Sequence, residues 1–456
     1  MRPDVIVVGS GQAGVPLAAR LAQAGKRVLL AEKDELGGTC VNTGCTPTKT
    51  MIASARAAHV ARQAGRLGVR VGEVRVDLGA VVDRKDAIVR QWREGVQKRI
   101  DRAGERLTLL RGRARFVAPR EVEVNGERHT AEIVVLNVGC RPAMPPIPGL
   151  DAVPALDHAS VMELRQLPSH LLVVGGGYIG CEFAQMFRRF GSEVTVVETL
   201  DRLLGMEDPE TSSALREVFE REGIRVETGA RVRDVASAGG GVALRLQSGQ
   251  ELRGSHVLVA AGRRPNTDDL GCDAGGIARD ERGFIPVDDR YRTSAEGVYA
   301  VGDVTPGPQF THASWDDHRL LYDGLMGRPA RGRSQRIVPI TAFTDPQVAR
   351  VGLTEQEARG KGLHPEVATM PFGHVARAIE VDETAGIMKV LVDPESEKIL
   401  GAAIVGAEAG ELIHVFVALV QAGAPARVLV DAECVHPTFA EGLQSLVMKL
   451  KRYALD

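Results

Sequence analysis

The sequence predicts an α/β protein built from two copies of one strand-turn-helix-strand unit and closed by a third, mixed α/β region, and three observations predict it. VIVVGSGQAGVPLAARLAQAGKRVLLAEK near the start is similar, without a gap, to LLVVGGGYIGCEFAQMFRRFGSEVTVVET in the middle. Each copy reads as an apolar strand, a glycine-rich turn, apolar residues at helical spacing and a second apolar strand ending in a carboxylate. From about Ser334 the chain changes to alternating strand-like segments and then helical patterns, with no third glycine turn. Its 456 residues are too many for one core, and at about 150 residues per domain they suggest roughly three.

In the repeat, Gly9, Gly11, Gly14, Gly25 and Glu32 fall in register with Gly175, Gly177, Gly180, Gly191 and Glu198. The first glycine permits a tight turn, the second lets a pyrophosphate approach the backbone, and the third lets helix and strand pack closely. The helix N-terminus receives the negative charge, and each terminal glutamate takes a ribose hydroxyl. One such motif is weak; two in register with acidic ends specify two Rossmann-like dinucleotide-binding domains. Between them, Trp92 to Gly104 is predicted helical and Leu107 to Val138 as short strands leading into NVGCRPAMPPIPG, whose prolines and glycines mark a crossover with a boundary near Gly149. The strand VLVAAGRRPN ends the second unit, and TSAEGVYAVGD begins a return to the first. The expected division is therefore 1–149 with 280–333, then 150–279, then 334–456.

Acidic and basic residues are mixed throughout and the net charge is −2, which leaves no electrostatic footprint for nucleic acid or an anionic membrane. No apolar run reaches about 18 residues, and Met1 leads within a few residues into VIVVGSG rather than into a charged n-region, apolar core and cleavage site. A cytoplasmic protein with a small-molecule partner is expected. Six cysteines are too few for a secreted disulfide framework, so a close pair points to catalysis or metal binding.

That pair stands in GGTCVNTGCTPTKTMIASARAAHVAR, where Cys40 and Cys45 open a predicted helix. A helix N-terminus and the nearby Lys49 favour thiolate over thiol, and the thiolate is the nucleophile in disulfide exchange. The pair can close as a disulfide and reopen reactive. A zinc site is the alternative, but the nearest further candidates, His59 and Cys140, form no second ligand pair.

GGTCVNTGCTPTK, the two glycine fingerprints, VYAVGD and VHPTFAE together make the full chain resemble the pyridine-nucleotide-disulfide oxidoreductases. The resemblance implies FAD in the first unit, NAD(P)H in the second and a third domain that builds a homodimer. It implies Cys45 as the charge-transfer thiol against the flavin and Cys40 as the interchange thiol that attacks substrate. Asp303, after Gly302, would accept a hydrogen bond from the ribityl chain; Lys49 and Glu182 would pair beside the flavin N5 and the nicotinamide; Tyr178 would gate the isoalloxazine ring. Gly38, Thr39, Gly139 and Gly262 are further cofactor-binding positions by the same resemblance. His436 and Glu441 match the family's His-Glu dyad, which reaches across to the cysteine pair of the partner subunit. A base with a pKa near neutrality suits thiol chemistry in both directions, and the glutamate would orient it.

Glu198 stands where an NADP-specific site more often offers arginine. Two like charges about 4 Å apart, at an effective dielectric near ~20, repel by roughly 4 kcal/mol, which favours NADH. Arg202 and Arg225 offer positive charge to a 2′-phosphate, so dual use stays open. FTDPQVARVG, DETAGIMK and GAEAGELI resemble mercuric reductases and related bacterial metal or reactive-chlorine-resistance reductases. The chain departs from mercuric reductase in lacking an N-terminal CxxC domain and a vicinal C-terminal cysteine pair, and in carrying His436 where those enzymes commonly have tyrosine. The dyad favours a disulfide substrate, as in dihydrolipoamide dehydrogenase, but PQFTHASWDDHR replaces the LAHxAxxEG-like segment usual there. The histidine-bearing branch related to copper(II) reductases shares the DD pattern. The acceptor is left as a disulfide or a soft metal ion, and no metal site is assigned. Cys434, two positions before His436, is a thiol a metal could use or a small apolar residue; Cys140, Cys181 and Cys272 carry no motif. The competing reading from another class is a nucleotide- and metal-binding sensor without turnover.

Overall fold

The computed structural model describes residues 2–454. They divide into two compact units, one made of 2–50, 80–143 and 262–336, the other of 51–79, 144–261 and 337–454.

The first unit is organised on a five-stranded sheet in the order Val298–Ala300, Ile133–Leu136, Val5–Val8, Val28–Glu32 and Leu107–Arg111. Every pairing in it is parallel. A parallel sheet covered on both faces needs strands that are apolar throughout, and VIVV and VLLAE are buried at every position. The helix Gly14–Gln23 packs Val15, Leu17, Ala18 and Leu21 inward. Val5–Val8, the first strand, has Val28–Glu32 on one side and the much later Ile133–Leu136 on the other, so the strand order reverses there, and the carboxyl end of such a strand is where α/β sheets bind ligands. The helix predicted from Trp92 starts earlier, at Leu78, and runs to Arg102. Its buried Leu78, Val82, Val89 and Ile100 keep helical spacing, but the intervening charges dilute that signal in the sequence. The return segment adds Val298–Ala300 to the sheet edge beside Ile133–Leu136.

The second unit repeats the plan. Its parallel sheet runs Arg225–Glu227, Glu193–Val197, His170–Val174, His256–Val259, and again the strand before the glycine turn sits at the reversal. The helix Tyr178–Phe190 buries Phe183, Phe187 and Phe190. The C-terminal region forms a separate five-stranded antiparallel sheet, Ile340–Ala342, Gln347–Gly352, Ile399–Gly406, Ile387–Val392, Glu366–Pro371. Phe372, Met388, Ile404, Phe416 and Leu446 fill its core. The fold is α/β, with two Rossmann-like sheets and a C-terminal mixed α/β region.

Candidate functional site

Cys40 lies within the short helix Gly38–Asn42, and Cys45 is the first residue of the helix Cys45–Gln63. The two helices stand close because Gly44 has no side chain: a Cβ there would lie 2.8 Å from the Thr39 carbonyl oxygen. Both cysteines are free thiols. The Cys45 Sγ is 3.2 Å from Thr311 Oγ1, and Thr311 is the first residue of the helix Thr311–Leu325. The hydrogen bond between the two thiols and burial push Cys40 far above its ordinary value, while Thr311 and Lys49 pull it down. Lys49 follows Cys45 by one turn of the same helix.

The turn after Val5–Val8 is braced from outside. The Ser10 amide and hydroxyl donate to Glu32 Oε2 at 2.8 and 2.7 Å, and the Asp34 amide donates to Oε1 at 2.8 Å. A carboxylate has about four acceptor positions, so Glu32 has room for one further donor while holding the turn. The Gly14 amide donates to Asn137 Oδ1 at 2.9 Å. Side chains are excluded throughout: a Cβ on Gly9 would lie 2.3 Å from the Asn137 carbonyl oxygen, on Gly14 2.0 Å from the Gly9 carbonyl oxygen, and on Gly38 2.9 Å from the Gly11 Cα. Ser10, Gly11, Gln12 and Gly37 border a cavity of about 530 Å³ whose far wall includes Trp92, Arg99 and Trp315. These residues fit the pyrophosphate of a dinucleotide. Asp303 pairs with Arg263, leaving its second oxygen open, and the Gly302 amide donates to Asp317 Oδ2 at 2.6 Å. Gly139 takes a positive φ of 64° just before Cys140, whose thiol donates to the Asp303 carbonyl at 2.9 Å. Gly262 belongs to this unit as well, its carbonyl accepting the Ala143 amide at 3.0 Å.

In the second unit Glu198 repeats the brace, accepting the Gly176 amide at 2.6 Å and the Leu200 amide at 2.8 Å. A Cβ on Gly180 would lie 1.9 Å from the Gly175 carbonyl oxygen, whereas Gly177 faces open space. Of the two arginines near this strand, Arg225 pairs with Glu227 at 2.6 Å, and the buried Nε of Arg202 has no hydrogen-bond partner. The Tyr178 hydroxyl donates to Glu207 Oε1 at 2.6 Å, and Arg350 Nε meets the same carboxylate at 2.9 Å. Burial and the Glu207 carboxylate push the Tyr178 phenol well above its usual range. Glu182 is buried, and its Oε1 accepts the Phe343 amide at 2.8 Å.

His436 Nδ1 lies 2.8 Å from Glu441 Oε2, and the Thr438 amide donates to Oε1 of the same carboxylate at 3.2 Å. Glu441 begins the helix Glu441–Val447, while the imidazole is 69% exposed. Cys434 is half-buried; Cys140, Cys181 and Cys272 are buried. The cysteine pair belongs to the first unit and the dyad to the second. Sequence reasoning assigned no role to Asn137, Thr311, Glu207 or Arg350, although the segments NVGCRPAMPPIPG, PQFTHASWDDHR and FTDPQVARVG contain three of them. Among the described residues, no group of three or more His, Cys, Asp and Glu is arranged to hold a metal ion, and no helix is long and apolar enough to cross a membrane.

The whole chain has relatives. It is 37% identical over 459 residues to a dihydrolipoyl dehydrogenase of Thermus scotoductus, covering 99% of this chain and 98% of the relative. It is 35% identical over 445 residues to a mercuric reductase of Staphylococcus aureus, covering 97% of this chain and 81% of that enzyme. The solved structure of a Cu(II) complex of the HOCl-induced flavoprotein disulfide reductase RclA from Escherichia coli superposes with a TM-score of 0.90 at 33% identity, covering 98% of this chain and 100% of that one. Residues 3–317 match the family model for pyridine nucleotide-disulphide oxidoreductases, and 338–447 match the dimerisation domain of the same family. With the duplicated nucleotide turns and the paired thiols, these matches make the chain a member of the pyridine nucleotide-disulphide oxidoreductase family.

Proposed function

We propose that this oxidoreductase takes reducing equivalents from NAD(P)H, with NADH preferred, and spends them through FAD and the Cys40-Cys45 pair on a small disulfide. The observation that carries the reading is the thiol pair itself, two hydrogen-bonded thiols outside any disulfide, with Cys45 at a helix N-terminus, in the unit that holds the first glycine cradle. Gly9, Gly11, Gly14, Gly38, Glu32 and Asp303 would hold FAD, which when bound supplies the two-electron link between nicotinamide and sulfur. Gly175, Gly177, Gly180 and Glu198 would hold the nicotinamide nucleotide.

The residue chemistry follows from charge. Cys40 gives up its proton to His436 of the partner subunit and attacks one sulfur of the substrate disulfide, forming a mixed disulfide and releasing one thiolate. The imidazolium returns a proton to that leaving thiolate. Cys45 then attacks the Cys40 sulfur, releases the second thiolate and closes the Cys40-Cys45 bond. Two thiols are oxidised and one substrate disulfide is reduced. Glu441 fixes the Nδ1 side of the imidazole, which leaves Nε2 for the proton. This exposed and braced imidazole favours a disulfide as acceptor. A soft metal ion is the second reading, supported by the likeness to a flavoprotein disulfide reductase solved with Cu(II). In that case closing the same bond reduces two Cu(II) to Cu(I) or one Hg(II) to Hg(0), without need of the imidazole.

Steady-state rates with NADH and NADPH against lipoamide, glutathione disulfide, Cu(II) and Hg(II) test the reading. A yellow protein bleached by NADH and turning over a disulfide is expected, with His436→Ala slowing turnover far more than flavin reduction. Turnover of metal ions alone, indifferent to His436→Ala, supports the second reading. A colourless, zinc-loaded protein without turnover overturns both in favour of a sensor.

A further inference from the structure

Trp92 and Trp315 are the only two tryptophans of the chain, and both border the cavity beside the first glycine turn. They are 56% and 39% exposed, on the helices Leu78–Arg102 and Thr311–Leu325. A large aromatic ring left in water forgoes its hydrophobic gain, so two on one cavity mark a surface that a ligand covers. Among the described residues lining the cavity Arg99 alone is charged, and its guanidinium lies 5.7 Å from the Trp315 ring centroid. The neighbouring Arg20 and Arg319 have carboxylates at 3.9 and 3.4 Å, those of Asp323 and Asp316. Gly95 lies between Trp92 and Arg99 on one helix, and a Cβ there would meet nothing within 4 Å. Glycine inside a helix is destabilising and no packing requires it here, so its effect is to leave room on the cavity wall.

The cavity also reaches the elements that carry the thiols. Val41, on its wall, follows Cys40 in the helix Gly38–Asn42, and Trp315 is one turn beyond Thr311, whose Oγ1 is 3.2 Å from Cys45 Sγ. At about 530 Å³ it exceeds what a pyrophosphate at its glycine end takes up and is the size of a small-molecule site. We propose that this cavity receives the electron acceptor and selects a small disulfide with a flat aromatic body and a carboxylate. The acceptor's rings lie against Trp92 and Trp315, and its carboxylate pairs with Arg99. The assignment rests on the proposed thiol chemistry and names its substrate class. Two electrons pass from the thiols of Cys40 and Cys45, which close as a disulfide, to the S–S bond of the acceptor, which leaves as two aromatic thiols carrying the two protons. Apolar walls with a single positive charge disfavour the zwitterionic ends of glutathione disulfide.

The test is calorimetric titration of the oxidised, flavin-loaded protein, without NADH, using dithiodibenzoate, its neutral diamide and lipoate. Dithiodibenzoate should bind about fivefold more tightly than the diamide, the upper scale of an exposed ion pair, and Arg99→Gln should level the two. Lipoate keeps the carboxylate but lacks the rings; it should bind about fivefold more weakly than dithiodibenzoate, and Trp92→Leu should erase that difference. Gly95→Leu favours the helix and fills the cavity, so it should weaken all three by about tenfold or more. Affinities indifferent to Arg99→Gln and Gly95→Leu, or a preference for lipoate or the diamide over dithiodibenzoate, overturn the proposal. Loss of flavin from Gly95→Leu with acceptor binding unchanged also overturns it, since the wall would then serve the flavin alone. If NADH does not bleach the flavin, the oxidoreductase reading fails instead, and the titrations still report on the cavity.

Discussion

Gly180→Ala tests whether the second glycine turn is a nucleotide cradle. The added Cβ would lie 1.9 Å from the Gly175 carbonyl oxygen and 3.5 Å from a Val173 methyl. An unstrained carbon-oxygen contact needs more than about 3 Å, so helix and turn must part by roughly 1 Å. The helix Tyr178–Phe190 cannot yield freely, because Phe183, Phe187 and Phe190 are 1%, 0% and 3% exposed and lock it to its surroundings. Overpacking of this kind costs about 1–3 kcal/mol. When the strain relaxes by displacing the turn, the loss falls on the pyrophosphate, and the dissociation constant for NADH rises about 5- to 150-fold. The assay is stopped-flow reduction of the flavin over a range of NADH concentrations, with flavin content and dithionite reduction as controls for the first unit. An unchanged NADH affinity in a protein with full flavin content would refute the reasoning. Gly14→Ala, with its Cβ 2.0 Å from the Gly9 carbonyl oxygen, should instead lower flavin content.

Lys389 is 2% exposed and meets Asp208 and Glu210 at 3.0 Å and Glu355 at 2.7 Å, so Lys389→Met strands buried carboxylate charge and should cost about 3–5 kcal/mol, read as a fall of several degrees in Tm; a shift under a degree contradicts it. Burial pushes His318 down to about 4, and its Nδ1 has no hydrogen-bond partner. A histidine held neutral in the folded state contributes stability above the unfolded value of about 6.5 and loses it as pH falls toward 4, by up to about 3 kcal/mol. Denaturant unfolding at pH 7 and 4.5 should show this slope, and His318→Phe should flatten it; equal slopes exclude the assignment. Glu198→Gln removes the charge facing a 2′-phosphate and should narrow the preference for NADH over NADPH by about tenfold or more, measured as the ratio of kcat/KM values; an unchanged ratio places selectivity elsewhere.

Local features were legible because local physics leaves a periodic trace. Glycines at fixed spacing before a helix, uniformly apolar strands, the cysteines at a helix start and the close spacing of His436 and Glu441 each reflect constraints acting within a few residues. The start of the helix at Leu78 escaped because its buried positions are sparse among charges. The two nucleotide turns could be read as cradles, but not how they are held. Glu32 and Glu198, expected to face ribose, also serve as the braces of their own turns.

The amino-acid order by itself determined the duplicated nucleotide unit, the thiol pair and the dyad, since each is encoded within one stretch of chain. Only the tertiary structure decided what stands against them. Asn137 reaches the Gly14 amide across 123 residues, Thr311 reaches Cys45 across 266, and Arg350 reaches Glu207 across 143. Such partners meet through strand order and helix packing, which bring distant segments together without imposing any repeat on the sequence between them.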